Sequence, residues 1–507
     1  MSKSKTTIEA LLEETGPMDS GGLADELVRR HPSQTPEAAR KAISRAQIAS
    51  RVRSTHPVRF DRVYLYYLSS HEGEKYARAV RAVLPKKPGF DRVYKTLLAN
   101  RGWITAGQIG KSSGSLPDSA QTNAGGRHRL AETVSQLLHL RVLEPVVGAT
   151  DLFRIGREFG TPRVGKGLFE HKLRIEQGLL EEARDWLRDC YLLAYDKHRL
   201  RTSPYLCEGF NDAVWDVHGP VYFGPFTANQ QLRRTTAKEA FLVCDILAYR
   251  QYDINDATAL LERYRSVVLR WKTVVVVPVV IAPVFSASAW QLLRTSGVTP
   301  VVFHDVFGRN VEKLLNSLWD LFKQDTPSDS TLTKLEDTLA LARGTEINDG
   351  IIGNLKGALF ELIVALAWRS QGFEVVIQKM VQSKEDLQEY EIDVVCIKAD
   401  QVCKLIECKG RHAGYEESRD DVERHFASRC KASADPYGWD VTGGYANVEA
   451  LFITTGVLSP EARAYADATK RSHGISCKVW AGETVGNWLK EIDQPRLAAL
   501  IDRFYRQ

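Results

Sequence analysis

Helical and strand-like hydrophobic spacings alternate along the chain in four blocks. In the first, TTIEALLEE carries apolar residues at helical spacing and stops at Gly16-Pro17. Leu23 to Val28 predicts a second short helix. Thr35-Pro36-Glu37 opens a third, since threonine caps well and proline suits a first turn, and it runs through AARKAISRAQIAS. VRFDRVYLYYL then alternates and is rich in β-formers, which predicts a strand. The second block repeats this order. FDRVYKTLLANRG reads as a helix, Trp103-Ile104-Thr105 leads into AGQIGK, a Gly/Ser-rich loop precedes the helical RHRLAETVSQLLHL, and DLFRIG reads as a strand. The word FDRVY occurs at 60–64 in a strand pattern and at 90–94 in a helix pattern, so we treat the repetition as coincidence.

Three helices followed by a hairpin match a winged helix-turn-helix, expected once over 1–85 and again over 86–160. Cations that could neutralise phosphates sit on the third helix of the first unit and at its exit: Arg45, Arg51 and Arg53. Arg127 and Arg129 open the corresponding helix of the second unit. Docking onto another protein is the plainer role for such modules.

The third block, 161–325, begins with a long helical stretch, HKLRIEQGLLEEARDWLRDCYLLAYDKHRL, and passes through an aromatic-rich irregular region to about Thr235. Strand AFLVCDILAY, helix DATALLERYRSVVLRW, strand VVVVPVVIAPVF, helix SASAWQLLRTSG and strand VTPVVFHDVF follow. Continuous apolar strands in this order predict an α/β sheet covered on both faces. The polar KQDTPSDSTLT reads as a linker, and 326–349 as linker and helix, leading into the last block at 350–507. There the strand-helix-strand order recurs as LFITTG, LSPEARAYADATKRSHG and ISCKVW, so the two blocks are expected to be copies of one fold. In the earlier copy LVCDILA takes the place of IECKG. Asp245 remains, but Leu247 stands where a lysine would be, so that copy is expected to have lost any chemistry.

Composition sets broad limits. A chain of 507 residues, 44% hydrophobic and 26% charged, suits several globular domains, and a net charge of +5 permits a nucleic-acid partner without requiring one. The polar start, MSKSKTTIEALLEE, lacks the apolar core of a signal peptide. The longest apolar run, Thr273 to Phe285, is too short for a membrane span and contains Pro278 and Pro283, so a cytoplasmic protein with no membrane partner is expected. Eight cysteines include no CxxC pair, which argues against a zinc ribbon and for reduced core thiols.

The candidate chemistry lies in GALFELIVALAWRSQGFEVV, EIDVVCI and KLIECKG. Glu361 falls on a helix, Asp393 at the start of a strand, and Glu407 and Lys409 two apart on the next strand, hence on one face. Carboxylates so placed supply hard oxygen ligands for magnesium, with manganese as a substitute, and magnesium can activate water and neutralise a phosphodiester under attack. Asp393 and Glu407 would be direct ligands. Glu361 would hold a second metal or a metal-bound water, and Lys409 would orient the water and offset phosphate charge. A charged strand with its lysine in a salt bridge is the plainer alternative.

The run GxxxE…GFEVV…EIDVV…LIECKG resembles the PD-(D/E)XK nuclease superfamily, nearest to Mrr-type restriction endonucleases, over roughly 350–492. The resemblance implies a restriction-endonuclease-like sheet flanked by helices, with Asp393, Glu407 and Lys409 as catalytic core and Glu361 as helix acid. Ile392 precedes Asp393 where the superfamily's name has proline, and Tyr390 stands where related sequences often have glycine. Past the core, EESRDDVERHFASRCKAS reads as a helix that could flank a substrate groove, with Arg424 toward phosphate and His425 on a solvated face or near phosphate.

The expectation is therefore a multi-domain α/β protein acting as a magnesium-dependent endodeoxyribonuclease, with DNA as partner and RNA left open. Its composition resembles restriction or anti-phage defence proteins, and duplex cleavage would favour a homodimer or a separate defence partner. The alternatives are a regulator or scaffold on an inactive nuclease fold, or a nuclease gated by a ligand or partner. The chain has no GxxxxGK[ST], so ATP-driven translocation would need another protein.

Overall fold

The computed structural model describes residues 7–506 except 50, 117–128, 147–148, 211–212, 222–239, 272–273, 322–328, 345–348, 383–388, 399–401, 413, 430–446 and 473–474. The molecule is a mixed α/β assembly of several sheets and many helices. Among the described residues no helix is long and apolar enough to cross a membrane.

The first unit holds α1 (Thr7–Thr15), β1 (Met18–Asp19), α2 (Ser20–Arg30), α3 (Pro36–Ala49), β2 (Val52–Ser54) and β3 (Leu65–Leu68), with sheet order β1-β3-β2. Asp19 caps α2 by accepting from Gly22 N at 2.9 Å. VRFDRVYLYYL is strand only in its second half. A tight turn with Asp61 at φ 57° and a Phe60–Val63 bridge precedes β3. After α4 (Glu74–Val83) the second unit repeats the order: α5 (Pro88–Ala99), β4 (Trp103–Thr105), α6 (Ala106–Ser113), α7 (Leu130–His139), β5 (Leu143–Val146) and β6 (Ala149–Ile155), with sheet order β4-β6-β5. Thr105 and Gln108 form a reciprocal capping box at the start of α6.

The long helix α8 (Lys166–Asp189) leads into β7 (Arg199–Leu200), the hairpin β8 (Glu208–Phe210) and β9 (Ala213–Trp215), β10 (Val217–Pro220), β11 (Ala240–Ile246), α9 (Ile254–Arg270), β12 (Val275–Ala282), α10 (Ala287–Thr295) and β13 (Thr299–Val302). Helices α11 (Phe303–Phe307), α12 (Arg309–Leu321), α13 (Asp329–Gly344) and α14 (Asp349–Ser370) follow. Helix α13 begins at Asp329, inside the polar KQDTPSDSTLT. The last sheet contains β14 (Glu374–Gln382), β15 (Glu389–Lys398), β16 (Val402–Lys409) and, beyond the short β17 (Glu416–Glu417) and α15 (Arg419–Glu423), β18 (Asn447–Thr454). After β19 (Val457–Leu458), helix Pro460–Ala468 precedes β20 (Arg471–Ser472) and β21 (Ile475–Ala481), and helices Glu483–Glu491 and Pro495–Phe504 finish the chain.

The middle and C-terminal sheets have one topology. Read from the first strand, the middle order is β7-β10-β11-β12-β13 and the C-terminal order is β14-β15-β16-β18-β21, with β20 added at the edge. In both, the first three strands pair antiparallel and the next two join parallel, while the added edge strand β20 pairs antiparallel with β21. The register agrees as well, with Val217 opposite Cys244 and Val394 opposite Ile406. One continuous apolar core runs through both units, joining Leu173, Leu180 and Val243 to Leu359, Ile363 and Ile406, so α8 and α14 are packed inside a shared interior. A separate cluster around Val395, Leu405, Phe426 and Phe452 covers the other face of the last sheet.

Candidate active site

Four carboxylates converge where α14 meets β15 and β16. Glu361 is buried on α14, and Glu407 is buried near the end of β16. Asp393 lies in mid-strand, not at a strand start, because β15 begins at Glu389. Its Oδ2 accepts from Cys408 N at 2.8 Å, which ties β15 to the backbone beside Glu407. Lys409 Nζ donates to Glu407 Oε1 at 2.8 Å, so the two share a face as their spacing requires, while Cys408 packs into the core on the opposite side. The sequence-predicted set of Glu361, Asp393, Glu407 and Lys409 is thus gathered around one cleft of about 470 Å³.

The fourth carboxylate, Glu391, lies two residues before Asp393 and was given no role by the sequence. The structure also brings in α8 of the middle unit. Lys166, Gly167, Glu170, His171 and Arg174 line the same cleft. Gly167 N donates to Glu391 Oε1 at 2.7 Å, so a carboxylate from the last sheet caps the first turn of α8. A Cβ at Gly167 would stand 2.3 Å from that oxygen, and only glycine permits the approach. His171 Nε2 lies 3.3 Å from Glu361 Oε1. The other Glu361 oxygen accepts from Gln378 Nε2 at 2.9 Å, while Gln378 Oε1 accepts from Leu168 N at 2.6 Å.

Gln378 reaches both partners from an irregular point in β14. Ile377 pairs with Val394 and Lys379 with Ile392, so the register is unbroken and Gln378 stands opposite Asp393, its backbone held at φ 56°. A strained conformation at a buried polar residue beside carboxylates is a feature typical of working sites.

The electrostatics are lopsided. Burial first, then the charges of Glu407 and Glu361, hold the Asp393 carboxyl well above the usual range, against the opposing pull of Lys409. Withdrawal from water, followed by Glu361 and Glu170, pushes Glu391 up to about 7. Four carboxylates therefore face one lysine on the C-terminal unit, an excess of negative charge that a cation would relieve. The donor chemistry, hard oxygens throughout, fits magnesium or manganese, with Asp393 and Glu407 as the oxygens that would hold it. Among the described residues no group of three or more His, Cys, Asp or Glu side chains is arranged to hold a metal ion. Glu361 and Glu391 are turned toward Gln378 and α8, and Glu407 toward Lys409.

Other expected residues divide. His425 is not on a solvated face. It is buried against Phe426 and Phe452, with Nδ1 3.9 Å from Glu407 Oε2, on the inward stripe that also carries Val422 and Phe426. Arg424 is exposed, as are Arg45, Arg51, Arg53 and Arg129, while Arg127 lies outside the described residues. Arg411 lines the cleft, with its guanidinium 4.4 Å from the Tyr415 ring and 3.2 Å from Glu417. Of the thiols, Cys244, Cys396, Cys403, Cys408 and Cys477 are buried, but Cys190 is exposed at the end of α8, and Cys430 lies outside the described residues.

Comparison with known proteins adds no identification. No protein-family model matches the chain, and no curated protein matches it. A solved structure described as "Crystal Structure of Protein of Unknown Function AF1548" is similar over 27% of this chain and 66% of its own, just under two thirds, at 22% identity and a TM-score of 0.20. A TM-score that low carries no argument.

Proposed function

We propose that the C-terminal unit is a divalent-metal-dependent nuclease of PD-(D/E)XK type, acting on DNA delivered by the N-terminal units. The observation that carries this reading is the convergence of Glu361, Glu391, Asp393 and Glu407 on a polar cleft in which, among the described residues, Lys409 is the one lysine from the C-terminal unit. Buried like charges of this number are costly unless a cation joins them. The strand order, antiparallel through β14, β15 and β16 and parallel through β18 and β21, supports the same assignment.

A metal bound here supplies Lewis acidity toward the phosphate and acidifies an attacking water. The protein's own groups divide the remaining work. Cys408 N fixes the Asp393 carboxylate in direction. Glu407 holds Lys409 Nζ in the cleft, where the ammonium offsets phosphate charge and orients the attacking water by donating to it. Lys166, Arg174 and Arg411 at the rim attract the polyanion. Helix-strand-helix-helix-strand-strand order in both N-terminal units supports winged helices, and exposed Arg45, Arg51, Arg53 and Arg129 suit phosphate contact. Cleavage of plasmid DNA, abolished by Asp393→Asn and Lys409→Ala, tests the reading.

One observation favours a gated form of the same enzyme. Glu391 and Glu361 are both engaged by α8, through Gly167 N and His171, so movement of α8 would change how many carboxylates face a metal. Gly167→Val distinguishes the two. An ungated composite site loses activity when α8 is displaced, whereas a gated one gains it.

A further inference from the structure

The shared topology allows residues of the two sheets to be matched. Asp216 precedes Val217 as Asp393 precedes Val394, and Asp245 follows Cys244 as Glu407 follows Ile406. Ile246 N donates to Asp216 Oδ2 at 2.7 Å, just as Cys408 N donates to Asp393 Oδ2 at 2.8 Å. Glu176 is buried on α8, ahead of the first strand of the middle sheet, as Glu361 is buried on α14 ahead of β14. Only the lysine is missing, since Leu247 stands at the place of Lys409.

An ammonium is nevertheless present, and it comes from another unit. Lys111 on α6 pairs with Asp216 and lies 3.9 Å from Asp245 Oδ1. Burial alone would lower its pKa, but the Asp216 and Asp245 carboxylates outweigh that and raise it. Arg201 reaches Glu176 at 2.8 Å and Asp216 at 3.1 Å, and Arg263 reaches Asp245 at 2.5 Å. Three buried carboxylates thus meet three fixed cations, leaving no excess charge for a metal to neutralise. The approach of α6 is built for contact. A Cβ on Gly107 would stand 2.9 Å from both Cys207 Sγ and Leu206 C, and Gly107 N donates to Tyr205 O at 2.8 Å. Arg92 on α5 adds an ion pair to Glu262 on α9.

We propose that the middle unit is a second copy of the C-terminal one whose carboxylate centre has become a socket for side-chain cations, with Lys111 of the second N-terminal unit as its ligand. The socket excludes divalent metal and fixes α5 and α6 on the middle unit, while Arg129 at the start of α7 stays exposed. Its existence does not depend on catalysis at Asp393.

Hydrogen exchange on the full chain tests the socket. Lys111→Met leaves Asp216 and Asp245 short of one cation, and amides of α6 and of residues 205–216 should exchange faster, by roughly 100-fold or more. The double variant Lys111→Met/Asp216→Asn removes both charges of the pair. It should show a smaller increase, and it keeps the question answerable if the single variant does not fold. Unchanged α6 exchange in Lys111→Met, or a double variant no better protected than the single, overturns the proposal. A second arm uses Mn²⁺ and electron paramagnetic resonance on a chain silenced by Asp393→Asn and Glu407→Gln. No bound ion sensitive to a further Asp216→Asn substitution is expected, and finding one overturns the socket in favour of a second metal centre.

Discussion

His171 Nε2 stands 3.3 Å from Glu361 Oε1, so a helix of the middle unit reaches into the acid cluster of the C-terminal unit. The candidate site is therefore assembled from two blocks of sequence separated by nearly two hundred residues. Its behaviour should depend on both.

Loss of the His171 ring frees one Glu361 oxygen and leaves only the Gln378 contact. Residues that orient metal-ligating groups typically change metal affinity by roughly 10- to 100-fold when removed. His171→Ala should raise the Mg²⁺ concentration for half-maximal cleavage by about 10-fold, and His171→Gln, which can still donate, should restore part of it. A Mg²⁺ titration of cleavage rate checks this.

Gly167→Val places carbon against Glu391 Oε1 and breaks the bond from Gly167 N. The cost should be about 1–3 kcal/mol from the unsatisfied buried groups. Denaturant unfolding measures the cost, and the sign of the activity change separates the composite site from the gated one.

Stability of the metal-free protein should fall as pH rises. Glu391 is pushed up to about 7 and Asp393 is raised well above its usual value, so the folded state prefers both protonated. That preference is fully present below the ordinary carboxylate pKa of about 4.5 and is lost as pH rises through about 7. Thermal unfolding at pH 5 and pH 8 should show the lower Tm at pH 8. Mg²⁺ at about 100 times its Kd should return about 2.7 kcal/mol at pH 8 and much less at pH 5.

Much of this architecture was legible in the sequence because apolar runs set the strands. AFLVCDILAY and VVVVPVVIAPVF became β11 and β12, and KLIECKG became β16, since strands buried on both faces have little choice of pattern. The Glu407–Lys409 face followed from period-two alternation. Asp216 was not legible, because it sits at a bend between two short strands, Ala213–Trp215 and Val217–Pro220, in an aromatic stretch without periodicity. Lys111 and His171 carried no local signal at all, since their partners lie 105 and 190 residues away. Gln378 offered one faint cue, a polar residue in an apolar strand, which here stands opposite Asp393. His425 misled because the charged run around it reads as a solvated face, whereas buried Val422 and Phe426 at i−3 and i+1 mark the stripe that carries its ring inward.

Exposed Arg45, Arg51 and Arg53 should act through phosphates. Replacing all three by alanine should weaken DNA binding about equally across sequences and reduce the salt slope by roughly 3. Binding isotherms at several salt concentrations check this, and an unchanged slope would assign the first unit to protein docking.

The most direct test incubates the purified chain with supercoiled plasmid in Mg²⁺ and in Mn²⁺, beside Asp393→Asn and Lys409→Ala. The account predicts nicking or linearisation by the unmodified chain and none by either variant, with both variants still binding DNA. Cleavage that survives both substitutions, or none by a folded, DNA-binding chain in either metal, would contradict it.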